Sequence, residues 1–181
     1  MKTVAVLFAE GFEEIEGVAI VDVLRRAQCR VIAAGVAGRE VTGAHAMTLR
    51  MDALLGELVA AELDAVVLPG GLPGSTNLAA SPAVLKLLRQ TAAAGKLVAA
   101  LCAAPLVLEA AGLLKGKRIT CYPGCEGQCG SAQATGERVQ VDGKLVTGRG
   151  PGAAIEFALE VATQLGLGET AEKLRQGMIV K

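Results

Sequence analysis

"TVAVLFAEGFEEIEGVAIVDVLRRAQCRVIAAGV", residues 3–36, decides the fold. An apolar run (3–9) leads to an amphipathic stretch (14–27) and then to a second apolar run (29–36). Short runs nearly continuous in Val, Ala, Leu and Ile predict strands covered on both faces, and the stretch between them predicts a crossover helix. The rhythm repeats, with apolar runs at 64–70 and 96–101 and helical patterns at 81–95 and 104–114. Its class is therefore α/β: a doubly wound, mostly parallel sheet with helices on both faces. Sites in such sheets lie beyond the carboxyl ends of the strands, so candidate residues belong there.

Outward from this frame, residues 38–52 read as a small strand-turn-strand excursion. "RVQVDGKLVTG", 138–148, reads as a hairpin whose Asp142-Gly143 pair suits a type I′ turn, which would make the sheet mixed at its edge. Pro151 is placed to start a long helix running to Gly166, and 168–178 forms one more. With 181 residues, 52% of them hydrophobic, and no repeat or linker, a single domain over 1–181 is expected.

Eighteen basic residues offset eighteen acidic ones without a run of like charge. That argues against nucleic acid or a membrane surface as partner and for a small molecule. The first apolar run is cut short by Glu10, too soon for a signal or spanning segment, so a cytoplasmic protein is expected. Five cysteines, an odd number, fit reduced thiols better than a disulfide framework.

"KLVAALCAAPLVLEAAGLL", 96–114, puts Cys102 where a buried strand gives way to a helix. Unpaired amides and the helix dipole at that joint would lower a thiol pKa from about 8.5 towards neutrality. A strand-Cys-helix joint is the thiol counterpart of the nucleophile elbow, with Ala103 and Ala104 small enough for close approach. The alternative is a buried structural cysteine. "VVLPGGLPGS", 66–75, ends a strand on Gly70-Gly71, whose backbone could offer amides to an oxyanion or form a plain turn. In "AEGFEEIEG", 9–17, Glu13, Glu14 and Glu16 occupy a first helical turn, where acids are favoured. Two of the three are expected to be solvated and one to point over the strand ends, where a protonated carboxyl could donate to the thiolate of Cys102.

Together "AEGFEEIEG", "VVLPGG", "ALCAAP" and "TGRGPGAAIEFAL" resemble the PfpI superfamily, in its parkinsonism-protein (DJ-one) branch, over almost the entire chain. The resemblance implies a flavodoxin-like subunit that dimerises, with Cys102 as the reactive cysteine and Glu16 as its acidic partner. It also implies Gly70, Gly71 and Ala103 as amide-bearing positions. Asp22 and Arg26, in "VDVLRR", match a pair at the dimer contact, and Arg149 matches a position close to the site.

His45 is the chain's one histidine. Peptidase members of the superfamily carry His directly after the cysteine, where this chain has Ala103, and related glutamine amidotransferases need a downstream His. Both activities are therefore disfavoured. Tyr122 stands where some aldehyde-processing relatives have His, and with a pKa near 10 it is a poor base at neutral pH. His45 is aligned roughly with a segment that approaches the partner subunit's cysteine, so action in trans or a solvated role both stay open.

The chemistry left is that of a thiolate assisted by a carboxyl: glyoxalase- or deglycase-like processing of a small 2-oxoaldehyde, with no metal or organic cofactor required. The alternative is a redox sensor, with Cys102 oxidised to sulfinate and no turnover, or a chaperone. Cys121, Cys125 and Cys129 recur every fourth residue, but the intervening Pro123, Gly124 and Gly127 oppose a helix that would align them on a metal. Cys121 or Cys125 could instead resolve an oxidised Cys102. Cys29, opening a strand, is taken as buried and inert.

Overall fold

The computed structural model describes residues 1–180. Strand β1 (Thr3–Phe8) is followed by α1 (Glu14–Arg26) and β2 (Arg30–Gly35), the βαβ unit read from the opening stretch. An excursion then forms a separate two-stranded hairpin, β3 (Glu40–Thr42) with β4 (Thr48–Arg50), before the short edge strand β5 (Ala53–Leu54). Next come β6 (Ala65–Leu68), α2 (Gly74–Ala79), α3 (Pro82–Ala93), β7 (Leu97–Leu101) and α4 (Pro105–Ala110). Strands β8 (Arg118–Ile119) and β9 (Gln133–Ala134) pair by themselves, and β10 (Val139–Asp142), β11 (Leu145–Gly148), α5 (Ala154–Ala162) and α6 (Gly168–Gly177) complete the chain.

The main sheet runs β10-β11-β7-β6-β1-β2-β5. Every neighbouring pair is parallel except β10 with β11, so the sheet is mixed at one edge. Alternate residues of β1 feed two cores. Val4, Val6 and Phe8 pack with Ile20, Val23 and Leu24 of α1 and Phe157 of α5. Ala5 and Leu7 pack with Leu78 of α2, Leu88 of α3 and Leu108 of α4. Burying each large side chain of this kind stabilises the fold by about 1.5–3 kcal/mol. Chain order reverses around β1, with β2 on one side and β6 on the other, which is the switch point where doubly wound sheets open a crevice.

Local chemistry explains most of the helix ends. Glu13 caps α1 by accepting the Glu16 amide at 2.7 Å, and Arg25 and Arg26 lie in the last turn, where positive charge complements the dipole. Ser81 and Pro82 start α3 in the same way.

Several expectations are corrected. Helix α4 stops at Ala110, and Gly112, at φ 75°, turns the chain where the pattern had suggested a helix to residue 114. The long C-terminal helix is broken into a 3-10 turn at Pro151–Ala153, α5, and a wide π turn at Thr163–Leu167, where Gly166 adopts φ 88°. The β10–β11 loop is Gly143-Lys144, one residue beyond the expected pair, because Asp142 pairs with Leu145 inside the ladder. Only Gly143 of the two has positive φ (65°), which excludes a type I′ turn. Helix α2, hidden in a glycine-rich stretch, had no periodic signal. Among the described residues, no helix is long and apolar enough to cross a membrane.

Candidate active site

Cys102 follows β7 directly and has φ 63°. Among the described residues it is the one buried non-glycine residue with positive φ; Gln28, Ala46 and Ile179 share that conformation but are exposed. Left-handed backbone costs an ordinary residue roughly 1–2 kcal/mol, so surrounding contacts must hold it. They do so from two sides. The Cys102 amide donates to Gly148 O of β11 at 2.9 Å, and its carbonyl accepts from the Tyr122 amide at 2.8 Å. The strained turn lifts the thiol off the sheet end.

Glu16, fully buried in the first full turn of α1, is the acid that meets this thiol. Its Oε2 accepts the Gly70 amide at 2.7 Å, joining α1 to the loop after β6. Its Oε1 has no hydrogen-bond partner. The Gly70 amide, expected to face an oxyanion, is thus committed to positioning the carboxylate. Gly70 must also be glycine, since a β-carbon there would fall 2.6 Å from Cys102 Cβ and 2.7 Å from Glu16 Oε2. The amides that face the sulfur are those of Ala103 and Gly71, the latter from a residue at φ 92°.

Burial pushes the Glu16 carboxyl up to about 7, aided by the charge of Glu13 and opposed by the Gly70 amide and the Cys102 thiol. Burial also pushes the Cys102 thiol well up, and the charge and hydrogen bond of an ionised Glu16 add to that, against the two amides. An ionised Glu16 raises Cys102 while the Cys102 thiol lowers Glu16, so the pair resists a second negative charge. This corrects the expectation of a thiol lowered by a helix start. Helix α4 begins three residues after Cys102 and is six residues long, too distant and short to act on the sulfur.

The remaining candidates divide. Tyr122 is half exposed and touches the site through its backbone. Its ring and Arg149 line a surface cavity of about 200 Å³ with Arg138 and Pro151. The Arg149 charge acts on Cys121. His45 is bound to Glu14, its Nδ1 lying 2.8 Å from Oε2 while its ring stays exposed. Asp22 and Arg26 pair with each other along the exposed face of α1, at 2.8 Å.

All three early acids are buried, against the expected one. Glu14 pins the hairpin loop by accepting the amides of His45 and Met47. Glu13 is the residue sequence reasoning missed. It caps α1 through its side chain, and its amide donates to Gly70 O at 2.9 Å, tying the two loops that carry the site. The Glu13-x-x-Glu16 spacing was the available signal, since a cap contacts the amide three residues on. Among the described residues, Glu13, Glu14 and His45 also bring three potential ligand atoms within 4.8 Å. Both carboxylates already accept protein N–H groups, so the trio reads as a cap and a clamp.

Residues 2–164 match the model of the DJ-1/PfpI family. The chain is 40% identical over 182 residues to protein dj-1beta of Drosophila melanogaster, covering 99% of this chain and 97% of that protein. It is 33% identical over 158 residues to the glutathione-independent glyoxalase DJR-1.2 of Caenorhabditis elegans, covering 86% and 84%. A cysteine-to-alanine mutant of a DJ-1 superfamily protein from Salmonella typhimurium superposes with a TM-score of 0.95 at 38% identity, over the full length of both chains.

Proposed function

The chain belongs to the DJ-1/PfpI family, and from that premise we propose that it converts small 2-oxoaldehydes to hydroxy acids through Cys102 and Glu16. The observation that carries this reading is the buried Glu16 carboxyl in hydrogen-bond contact with the Cys102 thiol, with Oε1 given no other partner by the protein. A proton on that oxygen turns an orphaned acceptor into a donor, with the sulfur as its acceptor. It also removes the charge that opposes the thiolate, leaving burial opposed by the Gly71 and Ala103 amides.

The thiolate adds to the aldehyde carbon, and the new alkoxide, facing the same amides, takes the proton from Glu16 to give a hemithioacetal. The Glu16 carboxylate then removes the proton from that carbon, giving an enediol, and returns it to the adjacent carbon, giving a thioester. Water cleaves the thioester, releasing the hydroxy acid and the free thiol. A carboxyl with a pKa near 7 suits both proton transfers at neutral pH. That a relative is a glutathione-independent glyoxalase supports the substrate class.

The test is steady-state formation of lactate from methylglyoxal without glutathione. Turnover is expected in the wild type and loss of it in Cys102→Ser. Oxidation of Cys102 without any product would instead favour the sensor, whose sulfinate would use the same amides and acid. The acting form is a homodimer that buries the exposed face of α1. Ile15 and Val18 lie there in line with Asp22 and Arg26, and are 63% and 47% exposed. Light scattering checks this: a monomer at micromolar concentration rejects it.

A further inference from the structure

Cys121, Cys125 and Cys129 are separated by glycines and a proline, yet all three are buried. The chain between them turns back on itself. Cys125 N donates to Tyr122 O at 2.9 Å, and a 3-10 turn over Glu126–Cys129 continues the reversal, with Gln128 N bonded to Cys125 O at 3.0 Å. Cys121 and Cys125 pack with Ala103 and Leu106. Cys129 joins the core that packs α2, α3 and α4 instead, and its thiol is a hydrogen-bond neighbour of Cys121. The three sulfurs do not all gather within 4.8 Å of one another, which favours a pair over a three-thiolate metal site.

We propose that Cys121 and Cys129 are a reversible dithiol–disulfide site, closed by hydroperoxides and opened by dithiols, and distinct from the chemistry of Cys102. With hydrogen peroxide, the Cys121 thiolate attacks one oxygen and breaks the O–O bond, giving a sulfenic acid and, once the leaving hydroxide is protonated, water. Cys129 sulfur then attacks the sulfenic sulfur and expels a second water, so two thiols lose two electrons and one peroxide gains them. Gly124, at φ 94°, and Gly127 have open space around them, so the loop can close the pair without moving β8.

Cys121 is the attacking partner. Burial pushes it up to about 11, but Cys129 donates to it and the Arg149 charge favours its ionised form. Cys129 is pushed up to about 12 by burial, with the charges of Cys121 and Glu109 adding to it. Closure is therefore expected to be slower than reaction of an exposed thiol.

Differential alkylation tests the site in the wild type and in Cys102→Ser, treated with hydrogen peroxide and separately with diamide. Free thiols are blocked under denaturing conditions, the protein is reduced, and newly freed thiols receive a second, mass-distinct label. Cleavage at Glu126 puts Cys121 and Cys129 on separate peptides. The expected result is joint protection of Cys121 and Cys129 with loss of two hydrogens, Cys29 and Cys125 remaining free, and full reversal by dithiothreitol, in both proteins. Because Cys102→Ser keeps the pair, its closure is read separately from aldehyde turnover. Cys121 joined to Cys102 or to Cys125, or both thiols still free after diamide, overturns the proposal.

Discussion

Glu14 and Glu16 stand two residues apart on one helix, both buried, and their carboxyls are pushed in opposite directions. Burial raises both. For Glu14 the hydrogen bonds from the His45 ring, the His45 amide and the Met47 amide outweigh it, so its pKa falls below the ordinary value. Glu16 receives one amide and keeps one bare oxygen, so burial wins. Glu14, shallower and with more donors, is a fixed anchor, whereas Glu16, deeper and with a single amide, can exchange a proton. The hairpin side of α1 is built to hold a charge; the sheet-end side is built to lose one.

Exchanging each acid for its amide separates the two positions most strongly. Glu16→Gln is expected to lower methylglyoxal turnover roughly a hundredfold or more, the scale of a lost general acid–base group, while Glu14→Gln stays near wild type. Lactate assays read both, and equal losses would end the distinction.

The pH dependence of stability comes next. A carboxyl raised from 4.5 to about 7 holds its proton more tightly in the folded state, so its contribution is complete below pH 4.5 and is lost as pH rises through 7. Denaturant titrations from pH 4 to pH 8 should show the wild type losing on the order of 3 kcal/mol relative to Glu16→Gln. Glu14, lowered, acts in the opposite sense: its contribution is present above pH 4.5 and disappears as pH falls through its folded value. Parallel curves for wild type and Glu16→Gln would refute the raised value.

Smaller effects sharpen the picture. Gly70→Ala should cost about 1–3 kcal/mol by forcing Cys102 and Glu16 apart, seen as a lower urea midpoint with an unchanged slope. His45→Ala should give the smallest change, because the ring is mostly exposed. The bond to Glu14 raises the histidine pKa, so what His45 contributes is present below pH 6.5 and fades as pH rises through its folded value. A His45→Ala loss that grows with pH would contradict this pairing.

Much of this was legible in the sequence, and the failures share a cause. The run-and-stripe pattern identified β1, α1, β2, α3 and β7, because buried parallel strands and amphipathic helices each carry a periodic signature. Cys102 stood out because a thiol at a strand end is a local feature. Helix α2 and the break at Gly166 had no such signature, since both depend on what packs against them. A lowered thiol is a local inference too, and it fails because the sulfur's surroundings come from α1, the loop after β6 and β11.

The sequence by itself determined the layers, the elbow at Cys102 and the presence of acids at the start of α1, since each follows from neighbouring residues and backbone preference. Which of the three acids meets the sulfur is implied in the sequence only by the family resemblance to Glu16's position, and physically it is set in three dimensions. Successive helical residues point about 100° apart, and docking of Ile20, Val23 and Leu24 against the sheet sets the rotation that turns Glu16 inward and Ile15 out. The same holds for the Gly70 amide on Glu16 and for the meeting of Cys121 with Cys129. Contacts across long or irregular stretches of chain are selected by packing of the whole, and no local pattern encodes them.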